Sequence, residues 1–411
     1  MPSQKLINKL ASLAVNVGVN VQKDQIVVVR ASTEVKEIVR EVVKEAYLAG
    51  ARNVFVQWSD EYVSHSGLIY RSLEELIKVP QWLIEQHQEW VNQGACFISI
   101  ASPIPGLNKD VNPNKAQQSG IAEQKAVNFF REHLMSNKSQ WTIIATPNPV
   151  WAKQVFPKLN EVDAVEALWL AILNASRVTE DNDPIAEWNL HNKILLAHNR
   201  ILNKYNFKSL HFKNKLGTDL TVELVKDHVW AGGGENSGKG IYFNPNIPTE
   251  ETFTMPYKWG TQGKVFATKP LNYQGKLIKD FWLEFKDGKV IDFDAKHEKD
   301  ALANILDTDQ GSRYIGEIAL ISQDSPISNT NILFLNTLFD ENASCHMALG
   351  RAYPMNVKNG VNLSAKELED IGYNSSIVHT DFMFGSDDME IVGLTQEGIE
   401  VRVFAKGNFI I

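Results

Sequence analysis

The feature that most constrains the fold is the alternation of short apolar runs with amphipathic helical segments in the first half of the chain. Residues 25–29 and 53–56 form two such runs, of the kind found in strands covered on both faces. Between them, one helical face carries Val35, Ile38, Val39, Val42 and Ala46. This is a strand–helix–strand unit, and similar apolar runs recur at 96–100 and 142–145. We therefore predict an open, mostly parallel α/β sheet with helices on both faces.

The second half of the chain has the pattern of a different fold class. Strands are predicted over residues 219–225, 264–268, 276–285, 289–294, 317–322, 332–335, 377–384 and 401–405. Asp287-Gly288 predicts a tight hairpin turn between two of these strands, and a helix is predicted over 297–306. We expect an α+β domain with a mixed or antiparallel sheet.

Two helical patterns, at 162–178 and 184–205, separate the two halves. We place the domain division after the second of them. This interpretation predicts an α/β domain over residues 1–205 and a catalytic, metal-binding α+β domain over residues 206–411.

Composition excludes several classes of protein. The 411 residues carry a formal net charge of −8, which argues against a nucleic-acid partner. The two cysteines, Cys96 and Cys345, permit neither a disulfide framework nor a CxxC metal site. The N-terminus lacks a signal-peptide pattern, and no segment reaches the length of a transmembrane helix. We expect a cytoplasmic protein with no nucleic-acid or membrane partner.

Several segments of the second half place imidazoles or carboxylates in apolar surroundings. His379 and Asp381 lie two apart in a predicted strand and therefore share a face. Glu317 begins an apolar strand, where an unpaired buried carboxylate would be costly. Glu341 and His346 come just before another apolar run. Each signal alone has an ordinary structural explanation, such as a buried hydrogen-bonded pair.

A fourth segment contains the adjacent acids Glu250 and Glu251, which would point to opposite sides of an extended chain, so that only one can enter a common site. Taken together, these groups form a set of oxygen and nitrogen ligands that suits Zn, Co or Mn. Six ligands exceed what one catalytic zinc uses and predict two ions that share a bridging carboxylate.

The segments that carry these groups resemble the metalloaminopeptidase family that includes thermophilic aminopeptidase T, PepS and AmpS. The resemblance lies in NPNIPTEETFTMP (244–256), LDTDQGSRYIGEIAL (306–320), NTLFDENASCHMALGRAYP (336–354) and IVHTDFMFGSDDMEIVGL (377–394). It implies an N-terminal α/β domain, a C-terminal domain with a pair of co-catalytic metals, and a homodimer. The implied activity is the release of N-terminal amino acids from short peptides that have a free N-terminus.

Carried over position by position, the resemblance implies that the metal ligands are Glu251, Glu317, Glu341, His346, His379 and Asp381. The family spacing to Glu317 favours Glu251 over Glu250. Glu317 is implied to be the bridging ligand and Tyr353 the catalytic tyrosine. We expect Glu250 or Glu317 to transfer the proton to the leaving amine, and two divalent ions, of Zn, Co or Mn, as cofactors.

Two other functions are compatible with parts of the sequence. A two-metal phosphoester hydrolase could use the same ligand types, but the motif segments supply only Arg313 and Arg351 to meet phosphate charge. A non-catalytic nucleotide-binding or regulatory protein would depend on the first half and on the glycine-rich residues 233–240. That segment lacks the final hydroxyl of GxxxxGK[ST] at Gly240 and precedes a strand-like run, so it predicts a flexible loop or a mobile lid.

Overall fold

The computed structural model describes residues 2–273 and 276–411. In that part of the chain the strands are β1 Ile26–Ser32, β2 Asn53–Ser59, β3 Cys96–Ala101, β4 Trp141–Ala145, β5 Phe207–Lys213, β6 Asp219–Leu224, β7 Glu235–Asn236, β8 Tyr242–Phe243, β9 Thr252–Thr254, β10 Pro256–Phe266, β11 Leu271–Tyr273, β12 Lys276–Lys286, β13 Lys289–His297, β14 Ile315–Leu320, β15 His346–Gly350, β16 His379–Met383, β17 Glu390–Thr395, β18 Glu400–Ala405 and β19 Asn408–Phe409.

The helices are α1 Gln4–Leu13, α2 Lys36–Leu48, α3 Glu61–Tyr70, α4 Leu73–Leu76, α5 Gln81–Asn92, α6 Pro113–Ala126, α7 Asn128–Met135, α8 Pro149–Val155, α9 Glu161–Ala175, α10 Pro184–Tyr205, α11 Lys299–Leu306, α12 Pro326–Asn329, α13 Thr337–Asp340 and α14 Ala365–Asp370. Short 3₁₀ or π turns occupy Ala14–Gly18, Thr33–Val35, Glu341–Ala343, Pro354–Asn356 and Gly360–Asn362. Of the described helices, none has both the length and the apolar content that crossing a membrane requires.

The chain packs as two compact units, the first made of Met1–Asn189 with Gly234–Ile247 and the second of Leu190–Gly233 with Pro248–Ile411. The sequence interpretation divided the chain after residue 205. In the structure the division falls inside α10, because Trp188 packs in the core of the first unit and Leu202 in that of the second. Residues 234–247 return to the first unit, where Asn244 N donates to Val17 O and Gly18 O.

The first unit contains a parallel four-stranded sheet in the order β2-β1-β3-β4. Val27 and Val29 of β1 pack with residues of α1 and α2, whereas Ile26 and Val28 pack with residues of α5 and α7 on the other face. Burial on both faces explains why β1 is an uninterrupted apolar run rather than an alternating one. The prediction of an open parallel α/β sheet is confirmed.

The second unit contains two antiparallel sheets. The larger runs β11-β12-β10-β6-β5-β17-β18-β19 with β13 beside β12, and the smaller runs β16-β15-β14-β9. One core joins them: the rings of Phe281 and Phe382 lie 5.5 Å apart, and those of Phe212 and Phe384 lie 5.3 Å apart. The predicted α+β domain is confirmed, and its sheets are antiparallel throughout the described pairings.

One predicted strand, residues 332–335, is wrong. The segment is irregular, and Leu335 has a φ of 58° that no strand residue adopts. Phe334 N (2.7 Å), and Asn336 N just after the segment (3.0 Å), donate to the carboxylate of Asp340 instead of to another strand. The sequence also failed to identify β5 and β17, which pair with each other in the large sheet.

Candidate metal centre

The smaller sheet places four of the six proposed ligands on one face. In its register Ala348 of β15 lies between Glu317 of β14 and Asp381 of β16. His346 and His379 are each two residues along from members of this row, so they share its face. Residues next to the ligands along β14, β15 and β16, such as Ile318, Met347 and Phe382, belong to the opposite face and pack in the hydrophobic core.

Small residues on the middle strand make room for these polar groups. Ala348 stands between two carboxylates, and Gly350 lies opposite His379. Gly350 has a φ of +104°, and a Cβ there would lie 2.2 Å from Val378 O. The small residues Ala348 and Gly350 in the sequence MALG therefore leave room for the larger polar side chains of the neighbouring strands.

The other two proposed ligands come from segments beside the sheet. Glu251 immediately precedes β9, the neighbour of β14. Glu341 begins the 3₁₀ turn that follows α13. These segments are tied together by Asn342, whose Oδ1 accepts a hydrogen bond from Glu250 N (2.8 Å) and whose Nδ2 donates to Leu338 O (3.1 Å).

The side chains form two groups that share Glu317. His346 Nε2 lies 3.3 Å from Glu251 Oε2 and 3.5 Å from Glu317 Oε1. His379 Nε2 lies 3.6 Å from Glu317 Oε2 and 3.3 Å from Asp381 Oδ1. The ligand atoms within each group all lie within 4.8 Å of one another. Glu317 and His346 are buried, whereas the other three are partly exposed, so the site has one accessible side.

Glu341 belongs to neither group, but it lines the same cavity as Asp381. Burial, and then the charges of Asp381 and Glu251, raise the pKa of Glu341 well above its ordinary value. Burial likewise raises the pKa of Glu317, and the charges of Glu251 and Asp381 add to that effect. The charges of Glu251 and Asp381 thus disfavour the ionisation of Glu317 and Glu341.

The two imidazoles supply the opposing charge. Burial would lower the pKa of His346, but its hydrogen bonds to Glu251 and Glu317 and the charges of Glu251 and Asp381 outweigh burial and raise that pKa well above the ordinary value. Burial also opposes the shift at His379, where the charge and hydrogen bond of Asp381 raise the pKa to about 10. The carboxylates therefore favour the positively charged form of both rings.

The donor set fits divalent metal ions. Two ligand atoms bound to one tetrahedral zinc at about 2.0–2.1 Å lie about 3.3 Å apart, close to the nitrogen–oxygen separations of both groups. Carboxylate oxygens and imidazole nitrogens are the ligand types that Zn, Co and Mn accept. His379 Nδ1 donates to Arg351 O (2.7 Å), which leaves Nε2 as the nitrogen facing the carboxylates. The Nδ1 of His346 is buried and has no hydrogen-bond partner among the described residues.

Two proposed catalytic residues, Tyr353 and Glu250, are not proposed as metal ligands, and they have different neighbours. The ring of Tyr353 lies 4.8 Å from that of His379 and 6.3 Å from that of Phe253. Burial, and then the charges of Glu317 and Asp381, raise the pKa of Tyr353. Glu250 is buried, and its Oε2 lies 3.7 Å from His191 Nε2. The adjacent acids therefore diverge, with Glu251 in a candidate group and Glu250 facing α10.

Sequence reasoning missed the residues that hold the Glu250–Glu251 segment. On α10, His191 Nε2 donates to Thr249 O (2.7 Å), and Asn199 Oδ1 accepts from the Thr252 hydroxyl (2.7 Å). Asn342 lies in the motif segment 336–354, but the sequence does not indicate its hydrogen bond to Glu250. No local pattern could have identified these residues, because their partners are remote in sequence.

A small, open cavity of about 40 Å³ reaches the ligand face of the site. Two of its lining residues are Glu341 and Asp381, and the others are Pro270, Leu271, Asn272, Leu335, Asn336, Thr337, Asp340 and Met383. The lining carries amide and hydroxyl groups beside the carboxylates. A small polar molecule could therefore approach Asp381 from this side.

Comparison with known proteins gives matches along almost the whole chain. Residues 3–409 match the family described as thermophilic metalloprotease (M29). Aminopeptidase 2 of Geobacillus stearothermophilus is 44% identical over 406 residues, which cover 99% of this chain and 98% of that protein. Aminopeptidase AmpS of Bacillus subtilis (strain 168) is 44% identical over 407 residues, with the same 99% and 98% coverage. The structure of wild-type AmpT from Thermus thermophilus matches with a TM-score of 0.93 at 35% identity, covering 99% of this chain and 100% of that one.

These matches confirm the resemblance drawn from the four motif segments. They also confirm the expected class of enzyme, a metal-dependent peptidase. The chain belongs to the M29 family of thermophilic metalloproteases.

Proposed function

We propose that the enzyme is an aminopeptidase whose centre holds two divalent ions, of Zn, Co or Mn. The proposed ligands are Glu251, Glu317, Glu341, His346, His379 and Asp381. The observation that carries the proposal is the position of Glu317, which contributes an oxygen to each of the two candidate groups. A carboxylate placed in this way suits a bridging ligand between two ions.

The substrate proposal is that N-terminal amino acids are released from short peptides. The relatives named aminopeptidase, including aminopeptidase T of Thermus aquaticus at 36% identity over 405 residues, support cleavage at the N-terminus. One of the ions or an acidic side chain would hold the free α-amine of the peptide, a group that an internal residue of a longer chain lacks.

The chemistry divides between the metal ions and the protein. When bound, the ions would polarise the scissile carbonyl and lower the pKa of water towards neutrality. Tyr353 would donate its phenolic hydrogen to the oxyanion that develops on the carbonyl oxygen. Glu250, or Glu317 itself, would carry a proton to the leaving amine.

We also propose a homodimer that forms through the first unit. The edge strand β2 has an open side in the described sheet, and it exposes Phe55 by 43% and Trp58 by 45%. Further aromatic side chains of this unit are exposed, among them Tyr62 (48%), Tyr70 (85%) and Trp82 (63%). So many exposed aromatic groups are typical of an interaction surface. The cytoplasmic location stays a prediction.

The test of this function is removal and return of the metal. Chelator treatment of the full-length enzyme should abolish hydrolysis of leucine and arginine chromogenic amides, and Zn, Co or Mn should restore it. Metal analysis of the active protein should give two ions per chain. A phosphate ester serves as the control substrate and should remain uncleaved throughout. Peptidase activity that survives chelation, or a restored enzyme with one ion per chain, contradicts the dinuclear centre.

A further inference from the structure

The sheet of the first unit contains a guanidinium that the peptidase chemistry does not use. Arg30 is the only residue of β1 that is not fully buried. It lies on the same face as Ile26 and Val28, whose neighbours are the aromatic side chains Trp90, Phe97 and Phe130. A charged side chain therefore follows an apolar row towards the carboxyl end of a central strand.

The hydrogen-bonding capacity of Arg30 is largely unused. Its Nη2 donates to Ser99 Oγ (2.9 Å), and its guanidinium carbon lies 5.6 Å from the centre of the Phe130 ring. Its Nε is shielded from solvent and has no hydrogen-bond partner among residues 2–273 and 276–411. Burial lowers the pKa of Arg30, and no described carboxylate forms an ion pair with it. Such a group is costly to keep unless something else compensates its charge.

The position of Arg30 is where open parallel sheets bind ligands. In the sheet, β2 lies on one side of β1, whereas β3 and β4 lie on the other. The direction in which successive strands are added therefore reverses between β1 and β3. Ligands of open α/β sheets bind outside the carboxyl ends of the strands at such a reversal. Arg30 of β1 and Ser99 of β3 are direct cross-strand neighbours and flank this place.

The residues beyond Arg30 on its face of the sheet are small and carry no charge. The next row on the same face consists of the small residues Ser32, Ser59, Ala101 and Ala145. The acids that follow β2 are Asp60, which caps α3, and Glu61, its first residue, and both accept hydrogen bonds from backbone donors rather than from Arg30. Asp60 accepts from Tyr62 N and Val63 N, and Glu61 accepts from Ile104 N.

We propose that Arg30, with the Ser99 hydroxyl, forms a binding site for a small oxyanion, the carboxylate or phosphate group of a metabolite, at the carboxyl end of β1 and β3. The planar guanidinium offers N–H donors in the geometry that both anions accept. Arg30 and Ser99 belong to the first unit, whereas the proposed metal ligands all belong to the second. Occupation of the anion site compensates a charge that the fold leaves unpaired.

The experiment is calorimetric titration of the full-length, metal-loaded enzyme with inorganic phosphate and with acetate at constant ionic strength. Wild type should bind at least one of them with a dissociation constant of about 1 mM or tighter. Arg30→Gln should weaken that binding about tenfold or more, while peptidase activity without added anion stays unchanged. Arg40→Gln, which removes an exposed charge from α2, is the matched control and should bind as wild type does.

The two anions identify the source of the ligand. Stronger binding of phosphate indicates a phosphorylated metabolite, and stronger binding of acetate indicates a carboxylic acid. If Arg30→Gln does not fold, Arg30→Lys keeps the charge without the planar fork and should weaken binding about threefold or more. The proposal is overturned if wild type binds neither anion. It is also overturned if the Arg30 variants bind both anions as tightly as wild type does, which is the result expected if the anions bind only at the metal centre.

Discussion

Replacement of Glu317 by glutamine is the sharpest test of how the site is built. Glu317 is the only described residue that belongs to both candidate groups, with Oε1 3.5 Å from His346 Nε2 and Oε2 3.6 Å from His379 Nε2. Glutamine keeps the shape of the side chain, but one of its two terminal atoms becomes an amide nitrogen that cannot bind a metal. A single isosteric change therefore weakens both groups.

The expected loss is large for activity and small for stability. We expect kcat/KM to fall at least about 10³-fold, which corresponds to about 4 kcal/mol of transition-state stabilisation. The chelated variant should be as stable as the chelated wild type or more so, because burial and neighbouring acids already disfavour the charge of Glu317. In wild type, metal at 100 times its dissociation constant should add about 2.7 kcal/mol to the free energy of unfolding, and the variant should lose most of that gain.

Two measurements check this prediction together. One is turnover of a leucine chromogenic amide, and the other is thermal unfolding with and without added zinc. Glu369→Gln, an exposed carboxylate on α14, is the matched control and should leave both unchanged. A Glu317→Gln enzyme with near-normal turnover, or with the full stabilisation by zinc, would show that the bridging assignment is wrong. If the metal-free variant is unfolded under conditions where the metal-free wild type is folded, Glu317 is required for the fold rather than for metal binding.

Three further substitutions separate other roles. Tyr353→Phe should lower kcat about 10²-fold with unchanged metal content and a similar KM, because it removes a donor that acts in the transition state; an unchanged kcat excludes that role. Glu250→Gln should lower kcat about 10-fold to 10²-fold and remove one limb of the pH profile of kcat, whereas loss of bound metal would instead make Glu250 a ligand. Glu235, on β7, has a pKa raised by burial to about 7 from 4.5, so the stability that it contributes below pH 4.5 is lost as the pH rises through about 7. Glu235→Gln should therefore increase the free energy of unfolding by about 1–3 kcal/mol at pH 8 and by little at pH 4, measured by denaturant titration; an equal effect at both values would exclude the buried charge as the cause.

Local structure was predictable where the physical cause is local. The helix α10 was predicted with its observed bounds, because its apolar period and Pro184 at its first position are both sequence features. The hairpin at Asp287-Gly288 was predicted for the same reason: both residues have positive φ, 51° and 78°, as a tight turn between antiparallel strands requires. The irregular segment at 332–335 escaped prediction because the carboxylate of Asp340, rather than a strand, satisfies its backbone.

The sequence by itself determined which groups are available and which face each can occupy. His379 and Asp381 share a face because a strand has a period of two, and adjacent Glu250 and Glu251 must diverge on an extended chain. The resemblance to a family selected Glu251 from this pair, and the structure places it in a candidate group.

Only the tertiary structure decided how these groups meet. The register that sets Ala348 between Glu317 and Asp381 joins three strands that are distant in sequence. The hydrogen bond from Glu250 N to Asn342 Oδ1, which holds the Glu250–Glu251 segment beside Glu341, also joins residues that are distant in sequence. A one-residue shift of β15 would turn His346 into the hydrophobic core and leave a carboxylate face without its imidazole. Register is set by the packing of the whole sheet on its core, and that packing is a property of the folded chain rather than of any segment of the sequence.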